Sequence, residues 1–157
     1  MAPAQTSLLA KLDTQQRVRD FLTNAIASGR ASHAYLFLGA PGAGKLDAAW
    51  ALAQAFLCER DGCGSCDSCV RVARHTHPDV HYYTPESATG YLIAQTRELL
   101  DDVPLAPIRA KAKVYIIDRA EQLRANTANA LLKTLEEPPE GVMFILLGTS
   151  ADVMLPT

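Results

Sequence analysis

Leu36-Phe37-Leu38-Gly39-Ala40-Pro41-Gly42-Ala43-Gly44-Lys45-Leu46 decides how the rest of the chain is read. Three apolar residues predict a buried strand, the glycines a tight turn, and Lys45 opens a helical run from Leu46 to Phe56. Gly39-x4-Gly44-Lys45 has the spacing of a phosphate-cradling P-loop. A polyphosphate is wrapped by consecutive backbone N–H groups, and glycines clear the side chains from that approach. The helix that follows turns its partly positive N-terminus toward the anion, and Lys45 is placed to neutralise the outer phosphates. The nucleotide-binding residues expected from this loop are Gly39, Ala40, Pro41, Gly42, Ala43, Gly44, Lys45 and Leu46. One of them breaks the pattern: the position after the lysine should carry the hydroxyl that holds Mg²⁺, and leucine cannot ligate a hard cation. The bland alternative is a glycine-rich turn with an incidental lysine.

The chain of 157 residues has a net charge of −2, with 48% hydrophobic and 20% charged residues. That is the balance of one globular domain that buries about two thirds of its unfolded surface. So small a charge gives no general attraction to nucleic acid or anionic membrane, and any DNA contact has to be local or shared with other chains. No apolar run has the length of a membrane span, and Met1-Ala2-Pro3-Ala4-Gln5 lacks the features of a signal peptide. The expected compartment is the cytoplasm, where the four cysteines are reduced or metal-bound.

Those cysteines are Cys58, Cys63, Cys66 and Cys69, spaced x4, x2 and x2. Four thiolates within this short stretch, separated by Gly62 and Gly64, close a tetrahedral cage around Zn²⁺. With no open position such a site is structural, stapling an insert at 58–69 to the surface of the domain. The Cys-x2-Cys-x2-Cys spacing also occurs in iron–sulfur proteins, but the expected proline after the last cysteine is missing. His75 and His77 are read as ordinary polar residues at a helix end.

Elsewhere, Leu8 to Ala27 predicts two helical segments, the second capped by Asp13-Thr14 and closed by Gly29. Ala34 to Leu38 is expected to be apolar on both faces and covered by helices on each side. His33, at its entrance, is read as a packing or capping residue. Leu46, Ala49, Trp50, Ala53, Phe56 and Leu57 form a helical stripe, with Trp50 in the core. Val80 to Tyr83 is a second strand and Ile93 to Leu100 a helix; Arg109, Lys111 and Lys113 form a solvated basic approach to a third strand. That strand, Val114-Tyr115-Ile116-Ile117, ends in Asp118, where a P-loop protein places the carboxylate that holds Mg²⁺; the alternative role is a helix cap. In hydrolysing proteins a glutamate often follows, whereas here the next residue is Arg119, and Glu121 comes too late. Asn126 to Glu136 reads as a helix stopped by Pro138-Pro139. Val142 to Leu147 is a strand whose far end brings Thr149 or Ser150 toward a γ-phosphate.

Together His33-Ala34-Tyr35-Leu36-Phe37, the P-loop, the cysteine insert, Val114 to Asp118 and Asn129-Ala130-Leu131-Leu132-Lys133-Thr134-Leu135-Glu136-Glu137-Pro138-Pro139 resemble the AAA+ module of bacterial DNA polymerase III clamp loader subunits. The resemblance implies an α/β fold, a three-layer P-loop domain with a parallel sheet over 1–157 and a four-cysteine zinc insert. It implies a hetero-oligomer with gamma/tau and delta subunits that places a sliding clamp on primed DNA. Motor subunits are expected to have Lys-Thr and Asp-Glu where this chain has Lys45-Leu46 and Asp118-Arg119. The likeness is therefore to the non-hydrolysing stator, delta-prime, with no catalytic residues, optional ATP or ADP and little use for Mg²⁺. The rivals are an ATP-hydrolysing gamma/tau motor and a zinc nucleic-acid module, and the acidic, ring-free residues between the cysteines disfavour the second. The resemblance also points to Gln15 or Gln16 near an adenine. It implies a Ser-Arg-Cys motif, a lid and a helical collar beyond this sequence, making 1–157 the N-terminal part of a longer protein.

Overall fold

The computed structural model describes residues 7–13 and 15–149. Thr14, Ser150 and the terminal stretches lie outside the described residues. A single 3₁₀ turn at Leu9–Lys11 precedes helix α1 (Gln16–Ala27), strand β1 (Ala34–Leu38), α2 (Lys45–Leu57) and α3 (Asp67–Ala73). Then follow β2 (Val80–Tyr83), α4 (Ile93–Asp102), β3 (Lys113–Ile117), a second 3₁₀ turn at Ala120–Gln122, α5 (Ala125–Glu136) and β4 (Val142–Gly148). The helix that begins α1 takes no side-chain cap at Gln15, and Asp13 instead lies 3.9 Å from Arg19.

The four strands form one parallel sheet in the order β1-β4-β3-β2. The step from β1 to β2 crosses the sheet in one direction, and the steps to β3 and β4 return in the other. Right-handed crossovers therefore place their helices on opposite faces, which is the three-layer arrangement expected from the sequence. Alternate residues of the central strands feed two cores. Val114, Ile116, Met143, Ile145 and Leu147 pack with Leu22, Ile26, Leu52 and Val72 from α1, α2 and α3. Tyr115, Ile117 and Phe144 pack with Leu99 and Leu131 from α4 and α5.

Two expectations change. First, β1 is not covered on both sides: Tyr35 and Phe37 join the first core, but Leu36 and Leu38 are 37% and 45% exposed. Its apolarity looked like that of a central strand, yet among the described residues β1 pairs only with β4, at the edge of the sheet. Second, α2 is not striped. Residues Ala48 to Ala55 are all buried, because five alanines let the sheet, α1 and α3 approach the helix from every side.

The basic approach to β3 also divides. Lys113 is buried, and its Nζ donates to the Asp102 backbone oxygen at 2.5 Å, at the C-terminus of α4 where a cation is favoured. Asp102 Oδ2 accepts from Tyr115 Oη at 2.5 Å and lies 3.2 Å from His81 Nε2. Arg109 pairs with Asp67 at 2.9 Å. Asp79, just before β2, is fully buried and accepts from the backbone N–H groups of Ile108, Arg109 and Ala110 at 2.6, 2.7 and 2.6 Å.

Burial alone would raise the Asp79 carboxyl, but those three N–H donors outweigh it and hold the group below the ordinary range. Asp102 is likewise lowered: Tyr115, His81 and Lys113 overcome its burial. A carboxyl depressed in the folded state contributes stability above its unfolded value of about 3.9 that is lost as pH falls through the folded value. Urea midpoints should therefore fall steeply below about pH 4. Asp79→Ala, which orphans three donors, should cost about 3 kcal/mol at neutral pH. Equal midpoints for variant and parent would contradict this account.

Candidate functional site

All four strands end at the same edge, and the loops that leave them converge there, the place where open α/β sheets bind ligands. A cavity of about 480 Å³ is lined by Pro41, Gly42, Gly44, Lys45 and Leu46, by Asp118 and Arg119, and by Gly148 and Thr149. Asp47, Glu121 and Leu147 complete the lining. Thus the expected P-loop, the carboxylate after β3 and the hydroxyl after β4 meet at one place. Gly39, Ala40 and Ala43 do not line the cavity; they build the turn behind it, where Ala43 N–H donates to Ala40 O at 3.1 Å. Gln15 and Gln16 are exposed and are not among the lining residues.

Gly44 caps α2 with φ +89°, a left-handed conformation that would strain any side chain. The lysine one residue later reaches back across the loop. Lys45 Nζ donates to Gly39 O at 2.5 Å and to Gly148 O at 3.1 Å, so a single ammonium ties the ends of β1 and β4. Leu46 packs against the first core, consistent with its lack of ligating chemistry. Asp118 does two things at once. Its Oδ1 accepts from Arg119 N–H at 2.9 Å, in the manner of a cap, while Oδ2 accepts from Tyr82 Oη at 3.1 Å. Tyr91 Oη donates to Tyr83 O at 2.9 Å and to Asp118 O, fastening the ends of β2 and β3 together.

Glu121 is a lining residue that its position in the sequence did not announce. The segment after Asp118 makes a 3₁₀ turn rather than starting α5, which begins only at Ala125, and this turn brings Glu121 to the cavity. Its Oε2 is buried without a hydrogen-bond partner among the described residues. Only the offset from Asp118 could have hinted at this, and the offset is legible only once the turn is known.

The cysteine segment gathers as expected. The four Sγ atoms lie within 4.8 Å of one another, with Cys58–Cys66 at 3.8 Å and Cys63–Cys69 at 3.9 Å. Tetrahedral bonds of about 2.3 Å put sulfurs about 3.8 Å apart, so this spacing fits one metal ion. No disulfide joins them. Backbone N–H groups of Arg60 and Cys63 point at Cys58 Sγ (3.3 and 3.4 Å), and those of Ser65 and Cys66 at Cys63 Sγ (3.5 and 3.3 Å). Cys66 Sγ caps α3 by accepting from Cys69 N–H. Gly62, at φ +92°, lies where a Cβ would sit 3.2 Å from the Ala55 backbone, so the knot closes directly on α2.

This segment is more than a surface staple. Cys58 and Cys69 are buried, Val72 sits in the first core, and the buried Gln54 amide donates to Cys69 O at 3.1 Å while its oxygen accepts from Leu8 N–H at 2.8 Å. His77 is no exposed helix-end residue either. It is buried, with Nε2 3.2 Å from Ser68 Oγ and Nδ1 accepting from Asp79 N–H at 3.0 Å, and burial lowers its pKa. His75 stacks on Trp50 with ring centroids 3.9 Å apart, and Trp50 is a core residue as expected. His33 does cap, its Nε2 lying 2.9 Å from Leu135 O.

A P-loop carried on a parallel α/β sheet, joined to a cluster of four cysteines spaced to fit one metal ion, defines the class of this domain. A sequence model of the family described as DNA polymerase III, delta subunit matches residues 14–157, and the chain belongs to that family. It is 40% identical to DNA polymerase III subunit delta' of Bacillus subtilis, over 92% of this chain and 45% of the relative. It is 42% identical to DNA polymerase III subunit tau of Escherichia coli, over 86% of this chain and 21% of the relative. The chain thus spans less than half the length of these relatives. A crystal structure of a DNA polymerase III gamma subunit-related protein from Thermotoga maritima superposes with a TM-score of 0.60 at 21% identity, covering 87% of this chain and 41% of that one, and shares the fold. No helix among the described residues is long and apolar enough to cross a membrane.

The thiols differ in readiness to bind metal. The backbone N–H of Ser65, followed by its hydroxyl and the Cys66 N–H, pulls the Cys63 thiol down to about 5. Burial would raise Cys58, but the N–H groups of Cys63, Arg60 and Gly62 bring it below the ordinary value. Burial holds Cys69 well above it. Filling the cage therefore expels at least the Cys69 proton, and metal affinity should rise roughly tenfold per pH unit for each proton released. Competition with a chromophoric chelator at two pH values measures this; an affinity independent of pH would exclude a four-thiolate site.

Proposed function

We propose that this chain is the AAA+ module of a stator subunit of the bacterial DNA polymerase III clamp loader, acting in the cytoplasm. In this reading residues 1–157 are one P-loop domain, the N-terminal part of a longer protein. It stands beside gamma/tau and delta subunits in a hetero-oligomer that loads the sliding clamp on primed DNA, and it does not itself hydrolyse ATP. The kinship with delta' and tau proteins supports the assembly. One observation carries the choice of stator: Leu46 and Arg119 line the cavity where a metal-holding hydroxyl and a water-orienting carboxylate would be needed.

ATP or ADP is held, in this proposal, by Lys45 and the loop from Gly39 to Leu46, with Asp118 and Thr149 at the phosphate end. Nucleotide acts as a ligand rather than a substrate, and Mg²⁺ has little purchase. The cysteine cage takes Zn²⁺, whose preference for four thiolates in a closed tetrahedron suits a structural role. The tying of the cage to α2, β2 and the first core supports a domain that transmits force as a rigid body.

The purified chain should turn over ATP no faster than its Lys45→Ala variant, and should contain one zinc per chain by elemental analysis, without the visible absorbance of an iron–sulfur cluster. Turnover abolished by Lys45→Ala would overturn the stator in favour of a motor. A motor reading also requires that restoring Leu46→Thr and Arg119→Glu change little, whereas the stator reading leaves room for gained activity.

A further inference from the structure

The cavity at the strand ends contains a second cation that the phosphate loop does not supply. Arg119 adopts left-handed backbone angles (φ 47°, ψ 53°), uncommon for a residue with a long side chain. The turn that requires this is closed by Asp118 Oδ1, which accepts the Arg119 N–H at 2.9 Å. The side chain is oriented from the other side, where Nη2 donates to Thr84 Oγ1 at 2.7 Å, just beyond β2. A guanidinium has five N–H donors, so this anchor uses one and leaves the fork that matches phosphate oxygens. Arg119 lines the same cavity as Gly44, Lys45 and Gly148.

A divalent ion lacks here the hydroxyl that usually follows the P-loop lysine. The residue after Lys45 is Leu46, and both carboxylate oxygens of Asp118 already accept hydrogen bonds, from Tyr82 Oη and from Arg119 N–H. The remaining carboxylates of the lining are Asp47, which is exposed, and Glu121. Resting on the reading of this cavity as a nucleotide site, we propose that Arg119 together with Lys45 supplies the counter-charge for the polyphosphate, so that nucleotide binds without a divalent cation. Arg119 then occupies the electrostatic role of the metal, while offering no bound water and no Lewis acid. To reach the anion, Lys45 gives up its bonds to Gly39 O and Gly148 O, and phosphate oxygens replace those carbonyls. Glu121, with one buried oxygen lacking a partner among the described residues, is the group to which a cation would be drawn if one did bind.

The test is a calorimetric titration of the purified chain with ADP and with ATP, once in excess Mg²⁺ and once in Mg²⁺-free buffer. No chelator is added, so that the cysteine cage keeps its ion. Affinity should agree within about twofold between the two buffers, and Arg119→Asn should weaken it about tenfold or more in both, as expected for losing a charged phosphate contact. Asparagine tolerates the left-handed backbone, and an unchanged melting curve shows that the fold is intact; Arg119→Lys should recover part of the affinity. Binding that requires Mg²⁺, or is lost on Glu121→Gln, would overturn the inference while leaving the nucleotide site standing. So would binding that is indifferent to Arg119→Asn. Absence of binding in both buffers would overturn both the inference and the nucleotide site beneath it.

Discussion

β3 and β4 have no face toward water. Every residue of Lys113–Ile117 is buried, and along β4 only Leu146 is partly accessible. Parallel strands covered on both sides need two separate apolar layers, and the alternation of side chains along them feeds both. Because the connections must cross right-handedly, the helices divide between the faces and the chain returns to one edge each time a strand ends. That edge is where the phosphate loop, Asp118, Arg119 and Thr149 assemble. The site follows from burying the middle of the sheet.

Polar groups admitted to this interior are matched donor by donor. Asp79 binds the segment before β3 to the start of β2 through three N–H groups, and Asp102 collects Tyr115, Lys113 and His81 at the end of α4. An unpartnered buried carboxylate would be costly, so these networks fix geometry as well as offset desolvation. Gln54 performs the same service between α2, the cysteine segment and the residues before α1. The cysteine cluster is thereby joined to the layer of helices that also carries the P-loop. His77 extends the connection, since it touches Ser68 on α3 and the backbone of Asp79.

The strand ends show a different economy. Lys45 satisfies two carbonyls, Asp118 two donors, and Tyr91 two strand termini, while Glu121 keeps an oxygen without a partner among the described residues. The Leu46 side chain brings no oxygen to the lining, and both Asp118 carboxylate oxygens accept hydrogen bonds from neighbouring groups. The outer face of β1 remains partly open at Leu36 and Leu38, a consequence of its place at the edge among the described strands.

What could be read directly from the chain was local. Glycine spacing before Lys45 specifies a loop because positive φ and a bare backbone are properties of single residues. The x4, x2 and x2 cysteine intervals specify a cage because short segments can only bring their ends together in a few ways. The apolar runs gave the strands nearly to the residue, and Leu46 and Arg119 are departures from the usual P-loop pattern that their side chains alone reveal. Position relative to distant elements was not legible. The exposure of β1, burial of α2 on all sides, and separation of Lys113 from Arg109 depend on which strands and helices become neighbours. The capture of Asp79 by three N–H groups, and of His77 by the Ser68 hydroxyl, depends on groups placed some thirty or nine residues away. Glu121 reached the cavity through the 3₁₀ turn that follows Asp118, which the sequence does not spell out. The one-dimensional order thus determined which groups exist and which short geometries they permit, while packing determined which meet, because desolvation and pairing energies are set by neighbours the chain brings together only on folding.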